Sequence, residues 1–521
     1  MELSGFNAWG IVNIIAVLLL SLLVANILKR RIPLLKKSLI PTSVLAGSLL
    51  LIISSIYTII TGEYIFELEF FGSPSKEALA AVEAGIIDAN DLSLTGLELL
   101  EIITYHSLAL GFIATAFKPV KEKLSKERST EIFNSGITTV ATYLLQAVIG
   151  ITVTTIAVLI GAGKLGLTNY AGILVAFGFG QGTGQAMNFG HQYETINQAG
   201  GTQVAGAETL AHGLDFGLSI ASLGFISAAI GGVIFLNILR RRTHKKIAND
   251  DFAETMTMDK IQTSKEIPME SSGVDKITLQ IAFILGSYFA AYGIIFALGK
   301  ILPGMKGVIY GFNFLIGVLV ATIVCFVLRF LKKRRVIKHE YINHFLMKRL
   351  AGFFFDIMII AGMAAIKPDT LGKYWHVLLI MGVVGAVATF FYLRFISKKL
   401  FPKYKDEQFL ATYGMLTGTA STGIILLREW DPKFESAAAD NLVYQNFPAI
   451  VFGLPIMIVA APNVIAAHPF LIYGILFAFF IVMNIVLFRS FIFKKRKKKT
   501  PTSMGDEIST GELDLGEIKE E

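Results

Sequence analysis

Apolar runs of about 20 residues, the length that crosses a bilayer core as helix, recur along the whole chain. The first reads AWGIVNIIAVLLLSLLVANIL, residues 8–28. It does not alternate apolar and polar positions as a membrane barrel strand does. The pattern predicts an all-α polytopic membrane protein. Spans are expected at about 8–27, 38–61, 97–117, 135–161, 205–237, 276–301, 307–330, 350–366, 375–396, 436–461 and 468–492.

Between the runs, polar residues alternate in sign. Lys29, Arg30, Arg31, Lys36 and Lys37 follow the first span, and an acidic stretch with Glu63, Glu67, Glu69, Glu77, Glu83, Asp88 and Asp91 follows the second. Lys118, Lys121, Lys123, Lys126 and Arg128 come next, and later RRRTHKK, LKKRRVIK, RFISKKLFPKYK and KKRKKK. Basic clusters mark the cytoplasmic side. All of them agree, with the N-terminus outside and the C-terminus cytoplasmic, only if residues 168–190 and 408–427 do not cross the membrane.

Those two segments also break the apolar pattern. The first contains FGFGQGTGQ (177–185), the second YGMLTGTAS (413–421), and Gly178, Gly182 and Thr183 align with Gly414, Gly418 and Thr419. A second echo is Ala-x-Lys-Pro, in IATAFKP (113–119) and MAAIKP (363–368). The chain then divides into 1–237, a first five-span repeat with a re-entrant hairpin at 168–190; 238–275, a cytoplasmic linker; 276–462, a second repeat with a hairpin at 408–427; 463–492, an extra span; and 493–521, a cytoplasmic tail. Five spans is an odd number, so the second repeat is inverted relative to the first.

A half-way hairpin leaves free backbone groups at its tip, which bilayer depth tolerates only inside protein or beside a watery cavity. Glycine permits the turn and close ligand approach. The helix start after each tip can hold a carboxylate, and exposed carbonyls can hold Na⁺. Paired broken segments in inverted halves point to a carrier site. The candidate substrate residues are Gly180, Gln181, Gly182, Thr183, Gly184 and Gln185 in the first tip, and Thr417, Gly418, Thr419, Ser421 and Thr422 in the second. The competing reading of the first segment is a small-residue helix packed on its neighbours.

Asn188, a turn beyond the first tip, is either a substrate contact or an interhelical hydrogen bond. Asp215 and Asp356 fall inside expected spans, where a carboxylate is costly and usually pairs or serves function. Both are candidate Na⁺ ligands, with a structural carboxylate as the alternative. Asn446 precedes Pro448, where a kink would free carbonyls for Na⁺. Arg428 reads first as a solvated loop charge and second as a carboxylate clamp. His106, His191 and His212 lack metal-ligand spacing.

Composition adds limits. The chain has 521 residues, 54% hydrophobic and 17% charged, against about a quarter charged in soluble domains. The single cysteine, Cys325, excludes a disulfide framework. The net charge of +8 sits at span ends and argues for lipid headgroups, not nucleic acid. No Ser/His/Asp set, HExxH or catalytic carboxylate pair is present, so no enzyme is expected. Neither segment has the phosphate-loop or dinucleotide pattern.

GFGQGTGQAMNFG, FGLSIASLGFISAAIGG (216–232), GTASTGIILLREW and NFPAIVFGLP together resemble the bacterial glutamate:sodium symporter family. The resemblance implies Na⁺-coupled glutamate uptake across the inner membrane, a homodimer, and elevator-like movement of the hairpin-bearing part. The chain departs from that pattern at Gln181, where the family has His, and at Ser421, where it has Pro. Another small carboxylate such as aspartate or a hydroxycarboxylate, coupled to Na⁺ or H⁺, keeps the same fold. An ion channel with pore loops is the reading from another class.

Overall fold

The structure, a computed structural model, describes residues 6–37, 40–74, 94–117, 125–198, 203–243, 275–303, 306–337, 341–432 and 435–492. Glu77, Glu83, Asp88, Asp91, Lys118, Lys121, Lys123, most of the 238–275 linker and the 493–521 tail lie outside the described residues. Among the described residues every regular element is helical.

The main helices are α1 (Phe6–Arg31), α2 (Thr42–Thr61), α3 (Gly96–Ala116), α4 (Lys126–Ile160), α5 (Leu174–Gln181), α6 (Thr183–Glu194), α7 (Gly213–Thr243), α8 (Lys276–Ile301), α9 (Asn313–Lys333), α10 (His344–Ala364), α11 (Pro368–Leu400), α12 (Lys405–Thr417), α13 (Ala420–Arg428), α14 (Ala438–Tyr444), α15 (Asn446–Val459) and α16 (Pro469–Leu487). Local chemistry sets their ends. Thr95 and Glu98 form a reciprocal capping box on α3, with bonds of 3.1 and 2.8 Å. Asp275 caps α8 through the amides of Ile277 and Thr278 at 3.0 and 3.1 Å. Gly62 ends α2 at φ 76, and Pro368 opens α11.

Among the described residues, 9 helices are long and apolar enough to cross a membrane: α1–α4, α7–α9, α11 and α16. Two of the eleven expected spans fall outside that set. The eighth is realised as α10, whose apolar stretch is interrupted by Lys348, Arg349 and Asp356. The tenth, 436–461, is not one helix. It breaks at Gln445 into α14 and α15. Pro448 has no N–H for the Tyr444 carbonyl, and its ring needs room against the preceding turn.

The fifth expected span also differs. Helix α7 begins at Gly213, not at 205, and runs on to Thr243. Residues 203–212 turn instead, with Gly206 at φ 74 and His212 at φ 53, and Val204 N–H donating to Asn197 Oδ1 at 2.7 Å.

Buried apolar side chains divide the helices in two. One large core joins α4, α5, α7 and α11 to α16. Three smaller cores join α1, α2, α3, α8, α9 and α10, and Leu214, Leu218 and Phe225 of α7 reach into two of them. Helix α6 lies between the groups. Its Phe189 stacks on Phe177 of α5, centroids 4.0 Å apart and planes 5° apart, while Met187 enters the core with α1, α2 and α10. The chain passes between the groups three times: from α3 to α4, from α7 to α8, and at residues 365–367 between α10 and α11.

Candidate functional site at two helix breaks

Both glycine-rich segments are helices interrupted near their middles. The first break is at Gly182, between α5 and α6. Gly182 has φ 86 and ψ −172, a backbone conformation that costs any L-residue strain. Of the closely spaced glycines 178, 180, 182 and 184, this alone has a left-handed φ. The others are glycines because helices press on them. A Cβ at Gly180 would stand 2.4 Å from the Tyr143 ring, at Gly178 2.8 Å from Ile220, and at Gly184 2.8 Å from Leu108. The turn-and-approach role expected of the whole run therefore belongs to Gly182, and the packing role belongs to its neighbours.

The second break lies at Gly418 and Thr419, between α12 and α13. Gly418 has φ −142 and ψ −108. Thr419 caps α13, accepting from Thr422 N–H at 3.4 Å, and the two hydroxyls are 3.2 Å apart. Thr417 turns its hydroxyl back to Tyr413 O at 2.7 Å. The arms touch backbone to backbone, since a Cβ at Gly414 would lie 2.7 Å from Gly423 Cα. Gln146 of α4, fully buried, donates to Leu416 O at 2.8 Å and to Thr389 Oγ1 at 3.1 Å, tying this break to α4 and α11.

The two breaks meet. A Cβ on Gly182 would stand 3.8 Å from Thr419 Cγ2, 3.9 Å from Gly418 O and 3.9 Å from Met358 Cε. Thr183, fully buried, reaches Met358 O at 3.5 Å, the limit of a hydrogen bond. Gln181 and Thr419 are half-buried at the junction. The side chain of Ser421 lies outside the described ones.

Gln185 stands out. It is fully buried in the first turn of α6, and neither its amide nitrogen nor its amide oxygen has a hydrogen-bond partner. A buried unsatisfied polar group costs about 1–3 kcal/mol. The N–H groups of Thr183, Gly184 and Gln185 belong to the same turn, where a helix supplies no partner of its own; the first amide to find one is that of Ala186, which donates to Gly182 O at 3.2 Å. Free amides, a helix N-terminus and an orphaned side-chain amide thus share the first turn of α6, the helix that starts at the meeting point. Residues 180–185 and 417–422 contain no carboxylate.

The remaining candidates lie elsewhere. Asn188 is engaged, donating to Gly311 O at 2.7 Å and accepting from Gln192 at 3.2 Å. Asp215 sits in the first turn of α7, not ten residues into a span, and accepts the Lys367 N–H at 2.9 Å. It joins a polar cluster at the crossing from α10 to α11. There Lys367 Nζ lies 3.7 Å from Glu67 and 5.3 Å from the centre of the Tyr64 ring, and Tyr64 donates to Asp369. Burial first, then the Asp369 hydrogen bond, pushes the Tyr64 hydroxyl pKa well up, so it stays a donor. Asp356, mid-way along α10, bonds Ser43 in the first turn of α2, where the helix N-terminus favours a carboxylate. Asn446 opens α15 half-buried, and Arg428 ends α13.

A buried network centred on the α14–α15 break was not expected from the sequence. Gln445 Oε1 accepts from Ser135 and Thr139 at 2.7 and 3.1 Å, Gln408 donates to Ser135 at 3.2 Å, and Asn441 donates to Gln408 at 2.8 Å. Its signal was available: Asn441 and Gln445 stand four apart in an apolar run, and share a helix face. A cleft of about 510 Å³ between the start of α4 and residues 400–404 is lined by none of the residues at the two breaks.

Neither a protein-family model nor a curated protein matches the sequence.

Proposed function

We propose that this chain is a secondary carrier for a small carboxylate, with glutamate driven by Na⁺ as the leading solute. The observation that carries the reading is the meeting of two helix breaks at the start of α6, whose first turn holds the orphaned Gln185 amide. The site offers N–H donors and hydroxyls without a carboxylate, which suits an anion. Backbone carbonyls at the breaks suit a Na⁺ ion held close to that anion, so that each raises the affinity for the other.

The order of elements supports inverted repeats. Four long helices, a broken pair and a further helical segment occur as α1–α4, α5–α6 and α7, and again as α8–α11, α12–α13 and α14–α15. With basic clusters inside, the first pair enters from outside and the second from the cytoplasm. Movement of the α4–α7 and α11–α16 group against the other would expose the junction to each face in turn. The homodimer belongs to the same proposal, through the resemblance to glutamate:sodium symporters.

Uptake of labelled glutamate into proteoliposomes, with and without an inward Na⁺ gradient, tests it. Accumulation only with the gradient is expected, and equal uptake in both removes the coupling. Competition by aspartate, malate and citrate identifies the carboxylate. A proton gradient replacing Na⁺ would identify H⁺ as the driving ion.

A further inference from the structure

Asn188 and Gln192 stand four residues, about one turn, apart on α6, and both are buried. Gln192 Nε2 donates to Asn188 Oδ1 at 3.2 Å, and Asn188 Nδ2 donates to the Gly311 carbonyl at 2.7 Å. Gly311 closes the short helical turn Lys306–Gly311 ahead of α9. Its φ is not left-handed, so conformation does not demand glycine there. Contact does: a Cβ at 311 would lie 2.6 Å from Gln192 Nε2 and 3.0 Å from Asn188 Nδ2. Both amides lie against one bare piece of backbone.

The two sides of this contact are anchored to different helix groups. Tyr310 O accepts from Tyr105 of α3 at 2.6 Å, and Asn313 donates to Tyr288 of α8 at 3.1 Å, which pairs with His106 of α3 at 2.7 Å. Helix α6 is tied to the other group by the Phe189–Phe177 stack, and by Gly190, where a Cβ would meet Gly213 O at 2.3 Å. The bonds around Lys367 hold the crossing from α10 to α11. The Asn188–Gly311 bond joins surfaces that only packing brings together.

Gln192 is incompletely satisfied, since its Oε1 is buried without a partner. Its nitrogen already borders Gly311 but is spent on Asn188. We propose that the Gly311 carbonyl is a two-position latch, held by Asn188 in this structure and by Gln192 after α6 slides by one turn. The slide is about 6 Å, four residues at about 1.5 Å each. One-turn steps of a helix past a fixed neighbour are a known form of switching. Both holders are neutral amides, so the step exchanges one hydrogen bond for another and strands no charge in a dry interface. The latch rests on the carrier reading in needing the α6 group to move.

The test places spin labels at His191→Cys on α6 and Ile301→Cys at the end of α8, both exposed, in a Cys325→Ser background in nanodiscs. Pulsed dipolar spectroscopy should show two distance populations that reflect a slide of about 6 Å. Asn188→Ala should at least halve the population matching this structure, and Gln192→Ala should enlarge it. If Asn188→Ala fails to fold, Gly311→Ala replaces it, because its methyl group meets both amides and depletes the same population. Populations unchanged by the variants, or moved the same way by both, overturn the latch. Glutamate uptake by the same variants reconstituted in proteoliposomes separates the claims. Responsive populations without uptake overturn the carrier reading alone, and uptake with unresponsive populations overturns the latch alone.

Discussion

The two helix breaks are built from similar sequences and are satisfied differently. At 417–422 the turn closes on itself: Thr417 bonds back into α12, Thr419 caps α13, and Gln146 takes the Leu416 carbonyl. At 180–185 the turn depends on one left-handed glycine, no side chain caps α6, and Gln185 is buried without a partner. The contrast teaches that the threonines of one break are hydrogen-bonded within it, while the other stores an unmet demand for hydrogen bonds at Gln185. A bound carboxylate would meet that demand.

The substitution that breaks the comparison most severely is Gly182→Ala. A left-handed φ costs an alanine about 1–2 kcal/mol, and relief of the strain moves the tip off Thr419. Uptake should fall roughly tenfold or more, since about 1.4 kcal/mol is a factor of ten. Gly418→Ala, free of left-handed φ, should do less; an equal loss would mean that the two turns share one strain.

Gln185→Leu should separate stability from binding. Removing an orphaned buried amide should leave thermal unfolding unchanged or raise it, while substrate affinity weakens by about 1–3 kcal/mol, roughly 5–150-fold. A large drop in unfolding temperature with unchanged affinity would make Gln185 structural. Thr419→Ala removes a helix cap worth about 1 kcal/mol, roughly a fivefold effect on uptake, and Thr419→Ser should restore it. The smallest change is expected for Asp215→Asn, which keeps an oxygen for the Lys367 amide. Uptake should stay within about threefold of the native level and remain Na⁺-dependent. Loss of Na⁺ dependence would make the Asp215 carboxylate an ion ligand after all.

The membrane-like helices were legible because continuous apolar runs leave little alternative to helix. Their ends were not. Residues 203–212 look mild enough for helix, yet Gly206 and His212 adopt left-handed conformations, and this puts Asp215 at a helix start. The two breaks were legible as clusters of glycine and threonine. Which glycine turns and which merely packs depends on φ and on neighbours such as Tyr143 and Leu108, distant in sequence, so the row of residues cannot say. The same holds for Asn188. Its amide is polar in any reading, and only the fold places Gly311 against it.

The most direct measurement is a cryo-electron microscopy map of the protein in lipid nanodiscs with glutamate and Na⁺. The account predicts helices interrupted at Gly182 and at Gly418–Thr419, touching at mid-depth of the bilayer, with density for a bound anion beside the Gln185 amide. Either segment appearing as a continuous helix through the full bilayer, or the two breaks lying apart, would contradict it.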